Sequence, residues 1–210
     1  MKRHFLCFKT AINKGLRFSR IDVIGIRDMG CDLASDVEAI AIEVKRGNEP
    51  FATASGQTLG YRVYAHRVYL ADYRDDPFTQ DEISIASNLG IGLIQIRRGK
   101  CREVLSSPTY QPMSKLYYRL LERLSLGRCQ LCGNIFQTGD QKSPFGNLTR
   151  ENIKKAVKNG KGFIFWNNEV SRRKAKLGLK SDKYDLLYER RLICPDCVER
   201  VIAQLQPDEK

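Results

Sequence analysis

The sequence predicts an α/β fold, a central mixed sheet flanked by helices, followed by a small α+β module that carries paired cysteines. Three observations support this. Val- and Ile-rich segments alternate with segments of helical period through residues 1–105. Residues 106–114, SSPTYQPMS, have the Ser/Pro composition of a linker. Beyond them stand two CxxC pairs, Cys129/Cys132 and Cys194/Cys197. The expected units are therefore a core over 1–105, a linker and connecting helix over 106–127, and a basic cysteine-bearing domain over 128–210.

Near the start, Phe5, Phe8 and Ile12 have the spacing of a short helix over residues 4–13. RIDVIGIRD (20–28) and VEAIAIEVKR (37–46) read as strands joined through MGCDLAS as a hairpin, and Gly47, Asn48 and Pro50 break the second. A helix is expected from near Ser55 through GQTLGYRVYAH, then a buried strand over HRVYLAD (66–72). DDPFTQDEISIASNLG (75–90) is a loop entering a helix closed by Gly90. IGLIQIRRG (91–99) is a further strand, with KCREVL as a candidate continuation of the sheet. KLYYRLLERL (115–124) reads as an amphipathic helix and DCVERVIAQL (196–205) as a terminal one.

Composition narrows the function classes. Apolar stretches such as Ile91–Ile96 are far too short to cross a bilayer, and although the charge would suit an anionic membrane surface there is no obvious amphipathic anchor, so no membrane partner is expected. Lys9 interrupts the apolar residues near the start, and no small-residue cleavage site follows, so the expected location is the cytoplasm. The net charge of +12 calls for a polyanionic partner; it divides as +3 over residues 1–110 and +9 over 111–210. Nucleic acid, and DNA in particular, is the expected partner. Seven cysteines without a secretion signal argue against a disulfide framework. Cys7, Cys31 and Cys101 are scattered and read as small apolar residues.

The chemistry of the first unit is expected at Asp22, Glu43 and Lys45. Side chains alternate along a strand, so Glu43 and Lys45 project from one face. If the two strands pair as a hairpin, Asp22 sits beside Glu43. Two carboxylates so placed repel each other, and a divalent cation relieves the repulsion. Such a cation activates a bound water and stabilises charge on a phosphate in the transition state. Lys45 would orient the water or neutralise the phosphate. Against this stands the plainer reading, in which an ExK sequence is a solvated strand face and Asp22 a turn acid.

Asp22 with Glu43-Val44-Lys45 resembles the PD-(D/E)XK phosphodiesterase signature of restriction endonucleases, junction resolvases and repair nucleases. Gln57 and Tyr61 on the following helix are spaced like the QxxxY element of the RecB-like branch, and His66–Leu70 is similar to that fold's next strand. The resemblance spans about residues 15–98 and implies a restriction-endonuclease-like core. It implies Mg²⁺ or Mn²⁺ on Asp22 and Glu43, Lys45 assisting catalysis, and Gln57 supporting the lysine or the DNA backbone. Ile21 stands where the family name has Pro. Many relatives carry a further acid on a first helix, and residues 1–21 hold no Asp or Glu. Either fewer protein ligands suffice, or Asp28, Asp36 or Glu38 contributes.

Cys129, Cys132, Cys194 and Cys197 form two knuckles whose spacing lets each pair of thiolates reach one tetrahedral ion. Four protein ligands leave no open position, so Zn²⁺ there would be structural. A redox CxxC needs one pair, and two pairs favour a metal. Because 61 residues separate the knuckles, the intervening chain must form its own substructure. That stretch holds RENIKKAVKNGKG, the apolar FIFW (163–166) and SRRKAKLGLK, where Arg172, Arg173, Lys174 and Lys176 are candidate phosphate contacts. A charge run is otherwise a solvated face, and FIFW reads as a core strand rather than a base-stacking platform. Both histidines, His4 and His66, precede the knuckles, which excludes an HNH site or a Cys₂His₂ finger in the second module. The expected protein is a metal-dependent deoxyribonuclease, endonuclease rather than exonuclease, acting as a homodimer or within a larger nuclease complex. The alternative is a catalytically inactive nuclease fold that binds nucleic acid or serves as an assembly subunit.

Overall fold

The computed structural model describes residues 9–16, 19–28, 37–138, 145–146, 151, 154–155, 158, 163–166 and 190–205. The chain divides into two compact units, Met1–Leu124 and Ser125–Lys210. Among the described residues, no helix is long and apolar enough to cross a membrane.

In the first unit, β1 (Lys9–Leu16), β2 (Ser19–Asp28) and β3 (Val37–Lys45) form an antiparallel meander. Two parallel strands, β4 (Arg67–Tyr73) and β5 (Gly92–Arg97), extend the sheet, and β6 (Lys100–Leu105) returns antiparallel on β5. The spatial order is β1-β2-β3-β4-β5-β6, a mixed six-stranded sheet. Parallel neighbours need a crossover. Here α1 (Phe51–Gly60) links β3 to β4 and α2 (Gln80–Leu89) links β4 to β5. The sheet interior is apolar, with Ile24, Ile26, Ala41, Val68, Leu70 and Leu93 all buried. Strands so covered read as near-continuous hydrophobic runs, as VEAIAIEV does.

Each helix has a local reason for its limits. α1 begins directly after Pro50 and presents the small residues Ala54, Ser55 and Thr58 inward, close to β3 and β4. The two buried hydroxyls are satisfied within the helix, Ser55 by Ala52 O at 3.1 Å and Thr58 by Ala54 O at 2.9 Å. A capping box closes the start of α2: Thr79 accepts from the Glu82 N–H, and Glu82 accepts in return from the Thr79 N–H. Gly90 ends α2 at φ 67°, and a Cβ there would lie 1.7 Å from the Tyr110 hydroxyl oxygen. Arg98 and Gly99, at φ 47° and 73°, make the two-residue turn that lets KCREVL pair back on β5.

Three expectations need correction. Residues 9–13 are not helical; they open β1, while residues 4–8 lie outside the described residues. Three apolar positions over ten residues are a weak helical signal, and the backbone of β2 offers Thr10–Ile12 a full ladder instead. The helix expected from Ser55 to His66 begins four residues earlier and gives way at Gly60 to the 3₁₀ turn Tyr61–Val63. Residues 106–113 are not a linker. Ser107 is buried, its Oγ accepts from the Val68 N–H at 3.1 Å, and its carbonyl accepts from Arg67. The Tyr110 N–H donates to His66 O at 2.7 Å and the Met113 N–H to Val63 O at 2.9 Å. The Arg62 guanidinium lies 3.5 Å over the Tyr110 ring, and the Tyr110 hydroxyl donates to Gly90 O. The segment is a strap across the first unit, and α3 (Ser114–Arg123) follows it within that unit, with the Tyr117 hydroxyl on Val37 O at 2.8 Å.

In the second unit, β7 (Leu126–Arg128) and β8 (Ile135–Gln137) form a two-stranded ribbon. FIFW is β10 (Phe163–Trp166), between β9 (Phe145–Gly146) and β11 (Arg190–Ile193) in a three-stranded sheet. The final helix, α4, spans Pro195–Leu205.

Candidate functional site

The antiparallel register ends at Val23 opposite Ile42, which leaves Asp22 and Glu43 as the next residues of their strands. There the side chain takes over from the ladder: Asp22 Oδ2 accepts from the Val44 N–H at 2.9 Å. Glu43 and Lys45 project from one face of β3, and both are largely buried. The Lys45 ammonium donates to Glu43 Oε1 at 2.8 Å, Glu49 Oε2 at 2.8 Å and Gln57 Oε1 at 2.6 Å. Three acceptors match the three N–H bonds an ammonium has. Glu43 Oε2 accepts from the Tyr61 hydroxyl, whose oxygen also lies 2.8 Å from Arg20 O on β2. Asp22, Glu43, Lys45, Gln57 and Tyr61 therefore meet at the ends of β2 and β3 beside α1.

The electrostatics follow from this packing. Burial alone would lower the Lys45 pKa, but its bonds and charge pairing with Glu43 and Glu49 outweigh that and raise it. Burial, the Glu43 hydrogen bond and the negative charges of Glu43 and Asp22 all push the Tyr61 phenol well above its ordinary range. Lys45 stays an ammonium and Tyr61 stays a donor.

The candidates for a third acid fare differently. Glu38 is buried and engaged by Arg27 and by Arg67 Nε at 2.6 Å. It precedes Glu43 by five residues on the same strand, roughly 16 Å away at strand rise, and so cannot share a cation with it. Asp28 stands opposite Val37, farther still along the ladder, and Asp36 lies outside the described residues. The acid actually present is Glu49, which the sequence pattern did not reveal. It follows Lys45 by four residues around a turn at Gly47, φ 77°. Asp72, the register partner of Lys45 on β4, accepts from the Gly47 N–H at 2.8 Å and fixes that turn. His66 is a structural residue: its Nδ1 accepts from the Ala39 N–H at 3.1 Å, and its ring meets Tyr117 edge to face.

The second unit gathers Cys129, Cys132, Cys194 and Cys197 with all four sulfurs within 4.8 Å of one another. The Cys132 and Cys194 sulfurs are 3.7 Å apart, close to the ~3.8 Å edge of a tetrahedron with metal–sulfur bonds of about 2.3 Å. The four form a cluster that can hold a metal such as zinc. The first knuckle hangs on the β7–β8 ribbon: Cys129 N–H donates to Asn134 O at 2.8 Å and Gly133 N–H to Cys129 O at 2.9 Å, with Gly133 at φ 79°. Gln130 N–H donates to Leu192 O, which ties this knuckle to β11. The second knuckle opens α4, where Cys194 O accepts from the Val198 N–H and Pro195 occupies the first turn. Burial would raise the Cys129 thiol, but N–H donors of Cys132, Cys194 and Leu131 hold it below its ordinary range, while burial raises Cys194 and Cys197. Ile193 and Val198 pack with the cysteines, and Phe136 and Val201 flank them. Arg172, Arg173, Lys174 and Lys176 lie outside the described residues. Within the same basic stretch, Lys154, Lys155 and Lys158 are exposed.

No protein-family model matches the chain. No curated protein matches it. Among solved structures, a protein of unknown function from Silicibacter pomeroyi is similar at 17% identity and a TM-score of 0.40, over 55% of this chain and 70% of that one.

Proposed function

We propose that the chain is a Mg²⁺-dependent deoxyribonuclease with a restriction-endonuclease-like core, endonucleolytic rather than exonucleolytic, whose second unit holds structural Zn²⁺ and aids DNA binding. The observation that carries this reading is the meeting of Asp22, Glu43, Lys45, Gln57 and Tyr61, drawn from β2, β3, α1 and the turn after it. A solvated strand face needs no such convergence, and it would not bury Glu43 to 6% exposure. The donor set suits the metal: Mg²⁺ takes hard oxygen ligands, binds through one or two carboxylates and keeps several waters. Asp22 and Glu43 would hold it. When bound, it supplies an activated water and a counter-charge for the phosphate.

The chain's own groups do the rest. Lys45 brings a permanent positive charge to the position where phosphate charge grows. Gln57 sets the direction of that ammonium from α1. Tyr61 holds one oxygen of Glu43 and leaves the carboxylate little freedom to turn. Incubation with plasmid, linear and branched DNA in Mg²⁺ or Mn²⁺ tests the reading. Wild type should cut, while Asp22→Ala and Glu43→Ala should lose at least about a thousandfold in rate with unchanged folding, the scale of removing a principal electrostatic group. Glu43→Ala cutting at the wild-type rate would refute the site. The rival, a nuclease fold that binds DNA without cutting it, draws on the ion pair that already engages Glu43. It predicts binding in this panel and no products with any metal.

A further inference from the structure

We infer that Glu49 is a positioning residue that takes the Lys45 ammonium over from Glu43 when a divalent cation binds at Asp22 and Glu43. The inference rests on the nuclease reading above. Both oxygens of Glu43 are engaged, one by Lys45 at 2.8 Å and the other by Tyr61. An ammonium so close repels an incoming cation at the carboxylate meant to receive it. The Lys45–Glu43 bond must therefore open. The lysine side chain is only 11% exposed, and a charge left unpaired there is costly.

Glu49 removes that cost. It lies 2.8 Å from the same ammonium and is 46% exposed, so it can follow a short swing of the lysine without leaving water. Gln57 Oε1 supplies the second remaining acceptor. The turn that carries Glu49 is held by the Asp72–Gly47 bond, so its carboxylate starts within reach. Lys45 thus has one carboxylate partner in the metal-free state that it must surrender and another that it can keep. Without Glu49, Glu43 is its only ion-pair partner among the described residues, and lysine and metal compete for one group.

Calorimetric titration of the full chain with Mn²⁺ tests this without reference to cleavage. Asp22→Asn should abolish binding at the site. Lys45→Met, which keeps the apolar stem and removes the competing charge, should tighten binding at least about fivefold. Glu49→Gln should weaken it about fivefold in the wild-type background, the upper range for a partly exposed ion pair, and at most about twofold in the Lys45→Met background. That inequality separates positioning from simple attraction of the cation by one more negative charge, which acts in both backgrounds alike. Equal losses in the two backgrounds, or a Lys45→Met variant that binds no more tightly, would overturn the inference and leave the nuclease reading standing. Absence of any Mn²⁺ binding that Asp22→Asn removes would sink both.

Discussion

The phenol oxygen of Tyr61 touches a carboxylate on β3 and a carbonyl on β2, so one atom links two strands at the point where the acids meet. Tyr61→Phe keeps the ring and deletes the donor. It should cost about 1–2 kcal/mol of stability, the penalty for leaving a buried acceptor unmet, read from denaturant midpoints at constant slope. The raised phenol pKa has a defined pH signature. Below about pH 10, folded and unfolded chains both hold the proton and the contribution is constant. Above it the unfolded chain releases the proton first, so stability falls as pH rises. Tyr61→Phe should flatten that fall only in part, because Tyr69 is also raised, by burial first, to about 12. Wild-type and variant curves that run parallel between about pH 9 and 11 would refute the linkage. At this scale Asp22, Glu43, Lys45 and Gln57 sit on strands and a helix whose periods could be read, whereas Tyr61 lies in the 3₁₀ turn that ends α1, where the helical period had already given out. Glu49 was not legible, because a turn bent by Gly47 and pinned by Asp72 brings it back to Lys45, and neither bond leaves a periodic trace.

The sheet strands announced themselves through Val and Ile, and those from β2 to β6 lie within a residue or two of their expected spans. The failures share a cause. β1 is an edge strand carrying Lys9, Asn13 and Lys14, with Ile12 70% exposed, so it lacks the apolar alternation that marks a buried strand. The strap at 106–113 holds by backbone groups, by the Ser107 and Tyr110 hydroxyls and by one arginine–tyrosine stack, and Ser/Pro composition hides such bonds. This makes truncation informative. A chain ended at Pro108 loses Tyr110, the Met113 bond and all of α3, and should melt at least several degrees below a chain ended at Leu124. Comparable melting of the two would show the strap to be a passive connection after all.

For the molecule as a whole, the division after Leu124 splits the excess charge as +5 and +7, more evenly than the expected boundaries implied. DNA binding measured against salt in Ca²⁺ should therefore show a substantial slope for residues 1–124 alone and a steeper one for the full chain. Neutralising Arg172, Arg173, Lys174 and Lys176 together should lower the full-chain slope by roughly 0.9 for each phosphate that no longer meets a cation. Identical slopes for wild type and the quadruple variant would assign those cations to solvent or a protein partner. Purified protein should hold one Zn²⁺ per chain by elemental analysis. Cys129→Ser or Cys194→Ser should release it and raise proteolysis within 125–210 while leaving the first unit intact. Zinc-free native protein, or a serine variant that retains its metal, would refute the structural role.

The distance between the knuckles also orders events during synthesis. All six strands of the first sheet precede residue 125, so the first unit can fold before the second knuckle has been synthesised. Cys129 and Cys132 then emerge with 61 residues still to follow before Cys194, as two thiolates able to hold an ion only loosely. A four-cysteine metal set could close only once the start of α4 has left the exit tunnel, and closing it would carry a loop-closure entropy cost that grows only slowly with loop length. If the cluster takes zinc as proposed, maturation of the second unit is a late and metal-timed event. A translation pause between the knuckles would leave a folded first unit waiting for a second that could not yet assemble its cysteine cluster.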